Sequence, residues 1–436
     1  MTRHRQVSSW IVVIFILLLP IRWANADGKD FSGRWETTYG IMTLEQVGES
    51  VFGHYILKFD HCSIEGNVKD RRFKFKYREP NASGEGWFDL DAGGDRFSGM
   101  WRDYRESNWR RWSGTRNPAL TSPIPGLNIR FTSGKSAIAI PFEPDNNHVR
   151  LRVSVNGSPP LYFILDSGGS SPYPKLSLRH AESFGMKLRP LGIKNSGVGP
   201  DLPDVYLVTD TTSLSLPGVT LTSRWLFAIS LDKANEGKNQ STNIGIDQDI
   251  SSDQRVKEGT RGYLDGIMGK GFFNSFVVEI DYAARLINLY DPLSYKYTGR
   301  GKIFPLEMDS HYIYLRAQVK ATGRPPVTAR LIVDTGSSVT LLLNQQFAEA
   351  YKLMPPIEKL TATTERGIGG AAVGTSFEGT LESLQLGDFN LSNPLTFFRH
   401  KPVGEGYDGL LGGSALRNFK VIFDFSRRRM ILEAPR

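Results

Sequence analysis

Between residues 27 and 118, apolar and polar positions alternate in short runs broken by glycine: IMTLEQVGESVFGHYIL, RRFKFKY and GWFDLDAGGDRFSGMW. Such alternation puts one face of each run in a core and the other in water. With turn signals roughly every eight to twelve residues, it predicts a small all-β barrel or sandwich. The proline-rich stretch Asn117–Gly126, NPALTSPIPG, closes this segment, and 119–126 reads as a linker.

The remainder repeats itself. PFEPDNNHVRLRV (Pro141–Val153) is echoed by PLEMDSHYIYLRA (Pro305–Ala317), and YFILDSGGSS (Tyr162–Ser171) by RLIVDTGSSV (Arg330–Val339). DGIMGKGFFNSFVVEIDY (Asp265–Tyr282) is then echoed without a gap by DGLLGGSALRNFKVIFDF (Asp408–Phe425). Three landmarks in the same order predict two copies of one β lobe, over 127–295 and 296–436. The first copy is longer, and most of its excess fits the polar tract Lys233–Arg261, which reads as a surface loop.

At the amino end, Arg3 and Arg5 precede the apolar run Trp10–Leu19, and Ala24-Asn25-Ala26 offers a small-residue cleavage site. The run falls short of the about 20 apolar residues that span a bilayer. Residues 1–26 therefore read as a cleaved export signal, leaving a mature chain without a transmembrane span, periplasmic or secreted after cleavage near Ala26. A lone cysteine, Cys62, excludes an intramolecular disulfide and any cysteine metal cluster, and the seven histidines show no ligand spacing. Neither a metal nor a cofactor is expected. The charge of +8 loses Arg3, Arg5 and Arg22 with the signal, and 27–118 carries equal numbers of basic and acidic residues. That balance calls for no nucleic-acid partner.

The chemistry lies in the paired loops. Apolar strands Phe163–Leu165 and Leu331–Val333 each end in an aspartate, then a hydroxyl residue, then a glycine that permits a tight turn. Should the two loops meet across a pseudo-twofold axis, their carboxylates come within about 3 Å and share one proton. One then deprotonates a water while its partner protonates or polarises a peptide carbonyl. A lone D-[ST]-G is an ordinary turn; two in matched contexts point to one site.

On these motifs residues 127–436 resemble a two-lobed aspartic protease of the retropepsin-like and pepsin-like superfamily, of the kind exported by bacteria. The signature is Ile164-Leu165-Asp166-Ser167-Gly168 with Ile267-Met268-Gly269, and Ile332-Val333-Asp334-Thr335-Gly336 with Leu410-Leu411-Gly412. The resemblance implies an all-β fold of two lobes forming one cleft, with Asp166 and Asp334 as catalytic dyad. It implies that Ser167 and Thr335 brace the loops, and that Gly269 and Gly412 lie beneath them. It also implies a hydroxyl after the second glycine that donates to the aspartate; Ser337 can do so for Asp334, Gly169 cannot for Asp166. Asp166 is therefore expected to hold the proton more readily. The glycine-rich segments KNSGVGPDLPDVYLV (Lys194–Val208) and ERGIGGAAVG (Glu365–Gly374) sit where the family closes its cleft. Tyr206 reads as a core-packed strand residue, and His148 and His311 as structural.

Gly33-Arg34-Trp35 resembles the start of lipocalin-like barrels. Trp101–Arg116 interleaves aromatics with five arginines, which suits a half-buried strand pair with a cationic outer face better than a platform for sugars or bases. Any partner of this domain is expected to be an envelope polysaccharide or protein. The whole then reads as an endopeptidase acting on protein or peptide substrates. The alternatives are a peptide-binding protein that does not cut, or a barrel that holds the lobes on a surface or serves as a pro-segment.

Overall fold

The computed structural model describes residues 30–57, 60–236, 263–309, 311–400 and 406–434. The leader-like residues 1–26 and most of the polar tract Lys233–Arg261 lie outside them. Among the described residues, strands form a closed eight-stranded barrel, a 16-stranded sheet and a 10-stranded sheet. No helix there is long and apolar enough to cross a membrane.

Every barrel strand pairs antiparallel with the next, and Gly33–Thr37 closes the ring on Arg110–Arg116 through Trp35↔Arg116 and Thr37↔Gly114. Alternation produces this shape: in Arg72–Arg78, Phe73, Phe75 and Tyr77 point inward while the basic residues between them face solvent. The interior is filled with rings, among them Trp35, Phe73, Phe88, Phe97 and Trp112. Each buried phenyl contributes about 2–3 kcal/mol. Within Trp101–Arg116 the tryptophans divide: Trp112 is buried, and Trp109 lies outside against Trp87 with ring centroids 4.8 Å apart. Arg102, Arg105 and Arg110 are paired with Glu85, Asp103 and Glu106.

The barrel is docked on the rest of the chain. Arg34 forms a buried ion pair with Asp291 at 2.9 Å, and Arg427 and Arg428 reach Glu45 and Glu65. The stretch 119–126 is packed rather than a free tether. Ile124 is fully buried, and the Pro125 carbonyl accepts the Tyr173 hydroxyl at 3.0 Å.

At this junction Lys270 is buried beside His54 and Cys62 of the barrel, and its Nζ donates to the Asp309 carbonyl at 2.6 Å. Burial lowers its pKa from 10.5 to about 8, against the opposing pull of Asp309. Between those values the unfolded chain binds more protons than the folded one, so this group's penalty is complete below pH 8 and fades as pH rises toward 10.5. Lys270→Met is therefore expected to stabilise the fold by on the order of 2 kcal/mol at pH 7, allowing for the lost hydrogen bond. Denaturant unfolding against pH checks this, the gain disappearing near pH 10.

The halves of the remaining chain meet in the large sheet, where Val277–Asp281 pairs antiparallel with Lys420–Asp424. Glu279 faces Ile422, with Val278↔Phe423 and Ile280↔Val421 on either side. In the gapless repeat, Glu279 and Ile422 occupy the same position, as do Val278 and Val421, and Ile280 and Phe423. Equivalent residues facing each other is the register produced by a twofold axis through the Glu279–Ile422 pair. The repeated Asp265 and Asp408 also do one job twice, accepting the Tyr162 and Arg330 amides at 2.9 and 2.8 Å. Each thereby ties its loop to the strand that ends in the aspartate four residues on.

Candidate active site

Strand Leu161–Leu165 runs parallel to Gly266–Met268, and Val327–Asp334 parallel to Gly409–Gly412. These pairings set Asp166 and Asp334 at the tips of buried strands. The following hydroxyls cross between halves. Ser167 Oγ accepts the Thr335 amide at 3.0 Å and donates to the Val333 carbonyl at 2.9 Å. Thr335 Oγ1 accepts the Ser167 amide at 3.0 Å and donates to the Leu165 carbonyl at 2.9 Å. Four buried hydrogen bonds thus fix one loop on the other, reciprocally.

The glycines permit the close approach. A Cβ on Gly168 would lie 2.4 Å from the Asp334 carboxyl carbon, and one on Gly336 would lie 2.6 Å from that of Asp166. Each half's glycine therefore lies against the other half's carboxylate, and the carboxyls share a hydrogen bond. Gly269 and Gly412 lie under the loops, where a Cβ would meet the Gly169 carbonyl at 3.1 Å and the Val339 carbonyl at 2.3 Å. The next amides support the same loops, Lys270 donating to Gly169 O at 2.8 Å and Gly413 to Ser337 O at 2.7 Å.

Burial and then the Asp166 carboxylate push Asp334 up to about 8, opposed by the Gly336 amide, 2.8 Å from Oδ1, and by the Gly168 amide. Like charges this close share one proton between them rather than both ionising. The hydroxyl that the sequence reading expects on Asp334 is not there: the Ser337 amide donates to the Asp334 carbonyl at 3.3 Å, while its hydroxyl makes no hydrogen bond to the carboxylate among the described residues. Nor is Gly169 open space awaiting a hydroxyl, since a Cβ there would stand 2.7 Å from Asp166 Oδ2. Gly169→Ser is therefore expected to displace the Asp166 carboxylate and so to lower turnover. Its kcat at the optimum pH, compared with the native protein's, checks this.

Two hairpins meet over one another. Leu188–Lys194 pairs with Asp204–Val208, and Thr361–Gly367 with Gly370–Thr380. At their tips the Gly369 amide donates to Val198 O at 2.8 Å and the Asp201 amide to Gly369 O at 3.0 Å. Val198 and Ile368 pack so tightly that Gly367 and Gly197 have no room for a Cβ. Tyr206 is half-buried against the core on the first hairpin.

Sequence reasoning missed several supports. His148 is more than a local prop: its Nδ1 contacts the Asp145 carbonyl and its Nε2 the Gly336 carbonyl, each at 3.0 Å. Asn147, at the same hairpin tip, donates to Ser338 O at 2.8 Å. Its equivalent hairpin holds Asp309 against Lys270, while His311 is exposed. Asn146 and Asn147 take positive φ at their hairpin tip, as a tight turn requires. A cavity of about 830 Å³ flanks this hairpin between Asp281, Arg285, Arg417 and Lys420, and neither aspartate lines it. No group of three or more His, Cys, Asp or Glu is placed to hold a metal among the described residues.

Comparison with known proteins gives no match among curated relatives. An aspartic proteinase from Irpex lacteus is similar in structure, with 14% identity, 69% of this chain and 97% of that chain covered, and a TM-score of 0.40. Residues 317–415 match the family model described as aspartyl protease, a stretch that includes Asp334–Gly336 and Leu410–Gly412. Over those residues the chain carries a distant aspartic-protease domain.

Proposed function

We propose that the chain is an aspartic endopeptidase whose two duplicated lobes form one cleft, with Asp166 and Asp334 as its dyad. The observation that carries this reading is the reciprocal Ser167–Thr335 network, which leaves each carboxylate against the opposite lobe's glycine. A turn needs no such cross-brace.

In the reaction, ionised Asp166 takes a proton from a bound water as its oxygen adds to the scissile carbonyl carbon, and Asp334 gives its proton to the carbonyl oxygen. The resulting gem-diol returns a proton to Asp334 as its carbonyl re-forms. The proton held by Asp166 passes to the leaving nitrogen, and the C–N bond breaks. The pair is ready for another water. The hairpins that meet at Val198 and Gly369 cover the bound peptide and must part to admit it. Export through residues 1–26 belongs to the same proposal.

The test is incubation with a mixed peptide library in H₂¹⁸O, with new termini mapped by mass spectrometry. New carboxyl termini carrying one ¹⁸O are expected at mildly acidic to neutral pH. Peptides that are retained but uncut would instead make the chain a binding protein.

A further inference from the structure

Beside the dyad the two lobes also differ in a buried rung of the sheet. In the second lobe, Leu342 faces Leu410, which in turn faces Ile332. In the first, the same rung is Lys175, Ile267 and Ile164. Residues directly opposite on neighbouring strands share a face, and so do residues two apart along a strand. Lys175 therefore stands on the sheet face toward which Asp166 also projects, where its counterpart is a buried leucine.

Lysine is among the side chains least often buried, yet Lys175 is 9% exposed. Among the described residues it makes no ion pair within salt-bridge distance; its Nζ donates to Asn195 Oδ1 at 2.6 Å. Asn195 is itself buried and begins the tip of the first hairpin, its amide donating to Pro203 O at 2.8 Å. The charged group facing Lys175 is Asp166, which partly offsets the lowering of the ammonium's pKa by burial. From the second lobe, Asp334 and the half-buried Tyr312 phenol face the pair.

Resting on the reading of the site as a protease dyad, we propose that Lys175 is the positioning residue that makes the two carboxylates unequal. Its ammonium keeps Asp166 ionised as the water-activating base and leaves the shared proton with Asp334, while its bond to Asn195 ties that charge to the covering hairpin. Symmetric loops alone would leave the proton's place undecided; a cation on one side decides it.

The test labels aspartate carboxyl carbons with ¹³C, assigns the dyad with Asp166→Asn and Asp334→Asn, and follows both resonances against pH in the native protein and in Lys175→Met. A neutral side chain of similar length removes the charge, and Lys175→Leu repeats the measurement with the residue the fold already accepts in the other lobe. In both variants the Asp166 carboxyl is expected to titrate about one pH unit or more higher, as for the loss of a near counter-charge, and the acidic limb of kcat/KM should rise with it. An Asp166 titration unchanged in both variants overturns the inference. The resonances report whether or not peptides are cut, so absent cleavage would count against the protease reading and not against Lys175.

Discussion

Asp334→Asn is expected to remain folded and to hydrolyse peptides on the order of 10⁴-fold more slowly than the native protein. The amide fits the same space but can neither share a proton with Asp166 nor give one to the carbonyl oxygen. Asp166→Asn should lose a similar factor by removing the base, and the double variant should be little worse than either alone, because the carboxyls act as one unit. Unfolding curves for the same samples separate chemistry from stability. Because burial and a like charge raise Asp334 to about 8, neutralising Asp166 should also relieve the fold at neutral pH. Asp166→Asn is thus expected to be no less stable than the native chain.

Thr335→Val should produce the largest loss of stability. Valine keeps the shape and removes the hydroxyl, leaving the buried Ser167 amide and Leu165 carbonyl without partners. An unsatisfied buried group costs about 1–3 kcal/mol, so two predict a loss of about 2–6 kcal/mol. The lost bonds run between lobes, so activity should fall as well, through misplaced carboxylates. Thr335→Ser is the control: the hydroxyl remains, as Ser167 already serves the first lobe, and both stability and rate should return close to native. A Thr335→Val protein as stable and active as Thr335→Ser would mean that the cross-brace does not hold the dyad.

Much of this architecture was readable from local pattern. The alternation in RFKFKYR needs only the pleat of a strand to become the wall of a barrel. The repeat of D-[ST]-G behind apolar strands needs only a twofold axis to become a meeting of carboxylates, and the Glu279–Ile422 pair supplies that axis.

What stayed hidden depends on contacts between distant segments. Lys175 lies in a proline-broken stretch, SSPYPKLS, which looks like an exposed loop until its pairing with Ile267 carries it into the core. The Gly168 amide that bears on Asp334 comes from the other half of the chain, and Lys175 comes from a different strand than Asp166. His148 is separated from the Gly336 carbonyl it supports by 188 positions. The stretch 119–126 has a linker's composition, yet Ile124 finds a place in the core.

The central claim is that two carboxylates from two halves of one chain make a single hydrolytic site. Titrating cleavage of one peptide with a statine-type inhibitor, whose tetrahedral hydroxyl stands in for the attacked carbonyl, tests it most directly. One equivalent per chain should abolish cleavage, and affinity for the inhibitor should collapse in Asp334→Asn. Hydrolysis that continues at its native rate with the inhibitor saturating would place the reaction at some other centre.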